Sequence, residues 1–254
     1  MSRRFTGLFL SFALVFSLAA PARAVSGTGG TSPPHYAVDG QRVQRPPAPT
    51  FVTGTDLPAA AADADCVTFT TPKGHQGVIF NGVTYIDGFL VANKTYPLPW
   101  DYGSGLTGET QAAFQTMAAA ARADGLRIYI SSGFRSYSLQ SSLYSRYVRR
   151  DGAEKADTYS ARPGHSEHQS GLAYDVNLID DAFIGTPEAI WLAAHCHEYG
   201  FLLRYPQGKS VETGYKYEPW HFRYVGTQLA AILYNGGDWI TMEDYFGITS
   251  QYAQ

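Results

Sequence analysis

The stretch Arg162-Pro163-Gly164-His165-Ser166-Glu167-His168-Gln169-Ser170-Gly171-Leu172-Ala173-Tyr174-Asp175 sets two histidines, a glutamate, a serine and an aspartate around two glycines and a proline. Gly171 lets the chain turn from a loop bearing His168 into an extended segment bearing Asp175. Alternation over 172–178 predicts a strand, with Ala173, Asp175 and Asn177 on one face and Leu172, Tyr174, Val176 and Leu178 on the other. Further along, Glu218-Pro219-Trp220-His221 leads into a second predicted strand over 220–225, where Trp220, Phe222 and Tyr224 alternate against His221, Arg223 and Val225.

Helix and strand signals surround these two segments. Over 107–124, Thr107 can cap a helix, Glu109 sits in its first turn, and Phe114, Met117, Ala118 and Ala121 form its apolar stripe. A strand is predicted over 126–131. The turn from Gly133 to Tyr137 follows, then a helix capped by Ser138 with Leu139, Leu143, Tyr147 and Val148 as its buried face. Arg135 is thereby fixed at a strand-to-helix junction. Thr186, Pro187 and Glu188 open another helix that stops at Gly200, with a strand over 201–205. Thr227 is expected to cap the last helix, before a short closing segment over 238–247. Upstream, 78–91 reads as a hairpin or edge strands turning at Gly82 and Gly88, and 93–99 as an extended loop stiffened by Pro97 and Pro99. Helices and strands mix without regular βαβ alternation, so the fold class is α+β.

The chain has 254 residues, 44% of them hydrophobic, which is enough for one good-sized core. Residues 1–24 have a basic start at Arg3 and Arg4, a short apolar run and a cleavage-like Ala22-Arg23-Ala24, the pattern of a secretory signal peptide. Its removal takes three of the 19 Lys and Arg and none of the 22 acids, moving the net charge from −3 to −6. No basic patch stands out, so nucleic acid is excluded as a partner. No other run is long enough to span a bilayer, so no membrane span is expected after cleavage. Residues 25–65, rich in Pro, Gly and Ala, read as a linker or stalk, and 66–254 as the catalytic domain, expected to act as a monomer. Cys66 and Cys196 leave two outcomes open: one bridge closing a loop of about 130 residues, or two independent thiols.

A catalytic zinc site needs three protein ligands and one open position. His168, Asp175 and His221 supply two imidazoles and a carboxylate, and Glu218, held by Pro219 three residues before His221, suits a general base. On spacing alone, a structural histidine and a capping aspartate remain the alternative. Nearby patterns fail. Gly164-x-Ser166-x-His168 lacks the second glycine of a nucleophile elbow. His197-Glu198-x-x-Phe201 lacks the second histidine of a metallopeptidase helix. His195 and His197 point to different sides of a helix, which leaves His195-Cys196-His197 as a helix end with cations near its C-terminus.

Ser166-x-His168-x-x-Gly171-x-Ala173-x-Asp175, followed by Glu218-Pro219-Trp220-His221-x-Arg223-Tyr224-Val225-Gly226, resembles the VanY-type zinc D-alanyl-D-alanine carboxypeptidases of peptidase family M15. Ser132-Gly133-Phe134-Arg135-Ser136-Tyr137-x-x-Gln140 is similar to their substrate-arginine motif, and Asn93-Lys94 with Pro97-Leu98-Pro99 to the segment leading into their site. The resemblance covers roughly 85–248. It implies a small antiparallel sheet flanked by helices, a fold shared with hedgehog-like domains and several endolysins. It further implies one zinc on His168, Asp175 and His221, Glu218 as base, and Arg135 as the clamp on the scissile carbonyl. Gln140, Ser136 and Ser166 would then line the pocket for the terminal residue. His165 departs from the family pattern, where a small hydroxyl residue is usual, and could rim the pocket or compete with His168 as a ligand. Glu167 is expected to be an exposed neighbour or a group supporting a ligand from behind. The implied substrate is the D-alanine end of peptidoglycan stem peptides. Alternatives are an L,D-carboxypeptidase acting on tetrapeptides, an endopeptidase of the same fold, and a zinc-bearing binding module without catalysis.

Overall fold

The computed structural model describes residues 66–253, so the signal expected over 1–24 and the linker expected over 25–65 lie outside the described residues. Two four-stranded antiparallel sheets organise the chain. The first is a meander of β1 (Cys66–Thr70), β2 (Gln76–Phe80), β3 (Val83–Ile86) and β4 (Phe89–Val91). Its two tightest turns use Asn81-Gly82 and Asp87-Gly88, all four residues with positive φ, as two-residue hairpins between right-twisted strands require.

The second sheet has the order β5 (Ile130–Ser132), β6 (Ala173–Val176), β8 (His221–Tyr224) and β7 (Phe201–Leu203). Its inner pair sets Tyr174 opposite Phe222 and Asp175 opposite His221. Because side chains alternate, the first pair enters the core and the second faces the other way. The Tyr174 ring meets Phe114 and Phe201 edge-on at centroid distances of 5.1 Å. Burying each such ring is worth roughly 1.5–3 kcal/mol, and that energy holds Asp175 and His221 in register on the opposite face. A bulge between Ile130 and Ser132 brings Ser132 opposite Asp175.

Helices α1 (Gly108–Ala123), α2 (Tyr137–Asp151), α3 (Ala153–Asp157), α4 (Pro187–His195), α5 (Ser210–Thr213), α6 (Thr227–Tyr234) and α7 (Met242–Phe246) surround the sheets. Met117 and Ala121 of α1, Leu192 of α4, and Leu229 and Leu233 of α6 join Tyr174, Phe201 and Phe222 in one core. The caps expected at Thr107 and Thr186 form, each side-chain oxygen accepting a backbone N–H of the first turn. α4 passes into a 3-10 turn over Cys196–Tyr199 before Gly200 ends it.

Several local expectations are corrected. Ser136, not Ser138, caps α2, its hydroxyl accepting the Leu139 N–H. Leu139 is exposed, and Gln140 is the buried residue of α2, because this helix covers a polar site rather than the core. The strand expected over 126–131 is confined to β5, and Asn177 leaves β6 with a φ of 49°. Gly226 stands at the N-cap of α6 in place of Thr227, and α7 follows it as the last helix. Cys66 is exposed on β1 and Cys196 is buried, both as free thiols.

Gly171 lies at φ 73° in the left-handed region, and a Cβ built there would stand 2.2 Å from the Gly105 carbonyl oxygen. Its own carbonyl accepts the Thr107 N–H at 3.0 Å, tying the start of α1 to the loop. Gly171→Ala combines a forbidden conformation with a clash, so it is expected to lower stability by ~1–3 kcal/mol. The check is the midpoint of denaturant unfolding, which must fall; an unchanged midpoint would show that the loop relaxes freely.

Candidate active site

A 3-10 turn over Glu167–Ser170 presents His168 beside β6 and β8. The Nδ1 of His168 lies 2.7 Å from the Gly133 carbonyl oxygen, which can only accept, so Nδ1 carries the proton and Nε2 faces Asp175 Oδ2 at 3.2 Å. On β8, His221 turns Nδ1 to Asp175 Oδ1 at 3.0 Å and Nε2 to Glu167 Oε2 at 3.4 Å. The two imidazole planes stand at 86° with centroids 5.0 Å apart. His168, Asp175 and His221 each offer one ligand atom within 4.8 Å of the others, and all three are buried. Burial alone would raise the Asp175 carboxyl, but His168 and His221 hold it well below the usual carboxylate range. Burial lowers His168. It would lower His221 too, but bonds to Asp175 and Glu167 raise that imidazole to about 9 and make it the more basic donor.

Arg135 reaches the same point from the β5–α2 junction, its Nη2 3.7 Å from Asp175 Oδ2. Its guanidinium donates to Gln140 Oε1 and to Ser132 Oγ, each at 2.9 Å, and its backbone N–H donates to the His168 carbonyl at 3.2 Å. Gln140 is in turn fixed by donating to the Ala161 carbonyl at 2.6 Å. Glu218 arrives on a turn closed by the His221 N–H donating to the Glu218 carbonyl at 3.2 Å, with Pro219 at its first corner. Burial pushes the Glu218 carboxyl up to about 8, with the Asp175 charge adding to the rise. A carboxyl that titrates near neutrality can both take and give a proton.

These groups share one cavity of about 680 Å³, within the range of small-molecule sites. Arg135, Ser166, His168, Asp175, Glu218 and His221 all line it. Ser136 and Gln140, expected on its wall, are not among its lining residues; Ser136 is occupied as a helix cap and Gln140 stands behind Arg135. His165 lies 2.8 Å by Nδ1 from the Asn93 carbonyl and edge-on to Tyr252, outside the three-donor group, so competition with His168 is not what its position provides. His195 sits against Glu198 and His197 stacks on Tyr234 at 3.7 Å, which separates the rings of that triplet.

Two features were not fully legible in the sequence. Glu167 is 2% exposed, so of the two roles expected of it the exposed neighbour is overturned, and its place against His221 fits the group that supports a ligand from behind. Burial would raise its carboxyl, but Arg204 and Arg223 outweigh that and hold it well below the usual range. A signal for this existed: Arg204 follows the apolar run Phe201-Leu202-Leu203, and a charge in such a run needs a buried counter-ion. The aromatic wall made by Tyr205, Tyr215 and Trp220 also lines the cavity.

The sequence profile described as "VanY: D-alanyl-D-alanine carboxypeptidase" matches residues 103–227, the span that holds Arg135 and all three donors with Glu218. A D-alanyl-D-alanine carboxypeptidase of Enterococcus faecalis (strain ATCC 700802 / V583) is 30% identical over 223 residues, covering 81% of this chain and 80% of the relative. The chain belongs to the VanY D-alanyl-D-alanine carboxypeptidase family. Among solved structures, the LdcB LD-carboxypeptidase is 38% identical with a TM-score of 0.60, covering 74% of this chain and 98% of that one. A variant of the vancomycin-resistance D,D-pentapeptidase VanY in complex with Zn(II) is 31% identical with a TM-score of 0.53, covering 61% and 96%. The small antiparallel sheets with flanking helices are those of this fold, and membership makes the chain a hydrolase of the carboxypeptidase type. Among the described residues no helix is long and apolar enough to cross a membrane.

Proposed function

We propose that this VanY-family chain is an exported zinc carboxypeptidase that removes the terminal D-alanine of peptidoglycan stem peptides ending in D-Ala-D-Ala. The observation that carries it is the convergence of three buried donors with Arg135 and Glu218 in one cavity. The donor set fits zinc: two imidazole nitrogens and one carboxylate, with the outer nitrogen of each ring already held by Gly133 or Glu167. Zinc held by His168, Asp175 and His221 supplies Lewis acidity toward water and the scissile carbonyl. The protein's own groups do the rest. Glu218 accepts the proton of the attacking water and delivers it to the departing amine. Arg135, pre-oriented by Gln140 and Ser132, presents fixed positive charge to the carbonyl oxygen as negative charge develops there. Ser166 lines the pocket for the terminal residue. Export rests on the signal pattern of residues 1–24, with 25–65 as the linker.

The L,D-carboxypeptidase activity is the second reading, favoured by the higher identity and TM-score to LdcB than to the zinc-bound VanY. Mass analysis of pentapeptide and tetrapeptide muropeptides, incubated with the purified chain with and without a chelator, separates the two. The expected result is loss of one alanine from the pentapeptide, stopped by the chelator and restored by added zinc. Trimming of the tetrapeptide alone would establish the L,D activity. Trimming of neither would remove both, and release of larger fragments would establish an endopeptidase.

A further inference from the structure

We infer that Glu167 is a positioning residue, which fixes the ring of His221 so that Nδ1 is presented to the metal. This rests on the zinc site proposed above. Glu167 Oε2 is 3.4 Å from His221 Nε2, while Oε1 accepts from Arg204 Nε at 2.8 Å and Arg223 Nη1 at 2.9 Å. Both arginines are themselves anchored. The other two nitrogens of Arg204 donate to the two oxygens of Glu243 at 2.8 and 2.6 Å. Arg223 Nη2 donates to the Leu90 carbonyl at 2.6 Å, and Glu243 Oε1 also accepts from Asn93 at 2.9 Å. Glu167, Arg204, Arg223 and Glu243 are each no more than 2% exposed.

Two anions and two cations balance in this cluster, yet buried ion pairs seldom raise stability above well-packed apolar residues. Their placement does something packing cannot: it keeps a carboxylate aimed at one imidazole nitrogen, and a carboxylate cannot donate. Nε2 must therefore keep its proton, and Nδ1, which stands 3.0 Å from the carboxylate of Asp175 and on the side of the other donors, is the nitrogen left to exchange its proton for a metal. The turn that supplies His168 as one donor thus uses its neighbouring residue to orient the other.

The test compares the purified chain with Glu167→Gln, titrating Zn²⁺ against a chromophoric chelator and recording ¹⁵N spectra of the histidines. Glu167→Gln is expected to weaken zinc binding by roughly 10–100-fold and to shift the Nε2–H signal of His221, because its charged acceptor becomes a neutral amide, while His168 keeps its own pattern. Equal zinc affinity in the two proteins would overturn the role of Glu167. If the variant does not fold, the wild-type spectrum decides: with zinc bound, Nε2–H and a metallated Nδ1 on His221 support the inference, and the reverse pattern overturns it. A wild-type chain that takes up no zinc would instead remove the metal site itself, a separate outcome.

Discussion

Glu218→Gln is expected to lower kcat on a D-Ala-D-Ala-ended peptide by roughly 10²–10⁴-fold, the usual contribution of a positioned acid–base group. Glutamine keeps the shape of the side chain and its place on the Glu218–His221 turn, whose closing bond is between backbone atoms. What it loses is the capacity to hold a proton. Burial lifts the Glu218 carboxyl to about 8, so the native group exchanges its proton just above neutrality rather than in the ordinary carboxylate range. Glu218 is outside the group of three donors, so zinc content is expected to be unchanged. Steady-state kinetics on a pentapeptide together with metal analysis check both statements. Wild-type turnover in the variant would end the assignment of Glu218 as base, and a parallel loss of zinc would move it into the metal-binding set.

Arg204→Met is expected to destabilise the protein by ~3–5 kcal/mol, because it leaves buried carboxylates short of their counter-charge. Glu167 would keep Arg223 and His221, and Glu243 would keep Asn93 as its side-chain partner. For a domain of this size each kcal/mol moves Tm by roughly 2–4 °C, so a fall of about 6–20 °C is anticipated in a thermal melt. The double variant Arg204→Met/Glu243→Gln removes one charge of each sign and is expected to lose less than the single variants combined. A single variant that melts with the wild type would mean that water or a shifted side chain compensates the lost guanidinium.

Local chemistry made much of the architecture legible. Thr107 and Thr186 cap helices because their hydroxyls meet donors only three residues away, with no long-range partner required. The Asn81-Gly82 and Asp87-Gly88 turns follow from conformational freedom that those residues carry with them. Alternation on β8 correctly sent His221 and Phe222 to opposite faces. Where two local choices were equally good, neighbours decided. Ser136 and Ser138 are both acceptable caps, and the chain begins α2 after the first, which leaves Leu139 in solvent and turns Gln140 toward Arg135. The apolar pattern of that helix suggested a core face, but the surface it covers is polar.

The sequence by itself determined which residue types stand at which spacing: His168 and Asp175 flanking Gly171, Glu218 before His221, and Arg135 at a junction. Those are properties of short segments, written in periodicity, turn preference and donor chemistry. Only the tertiary structure decided the surroundings of these residues. It buried Glu167 and gave it Arg204 and Arg223, 37 and 56 positions away, and it tied that cluster to Glu243 on α7. It also drew Ser136 and Gln140 off the cavity wall. The physical reason is that a buried charge is tolerated only where an opposite charge meets it, and which distant strand supplies that charge depends on sheet order and register, not on any pattern within reach of a single segment.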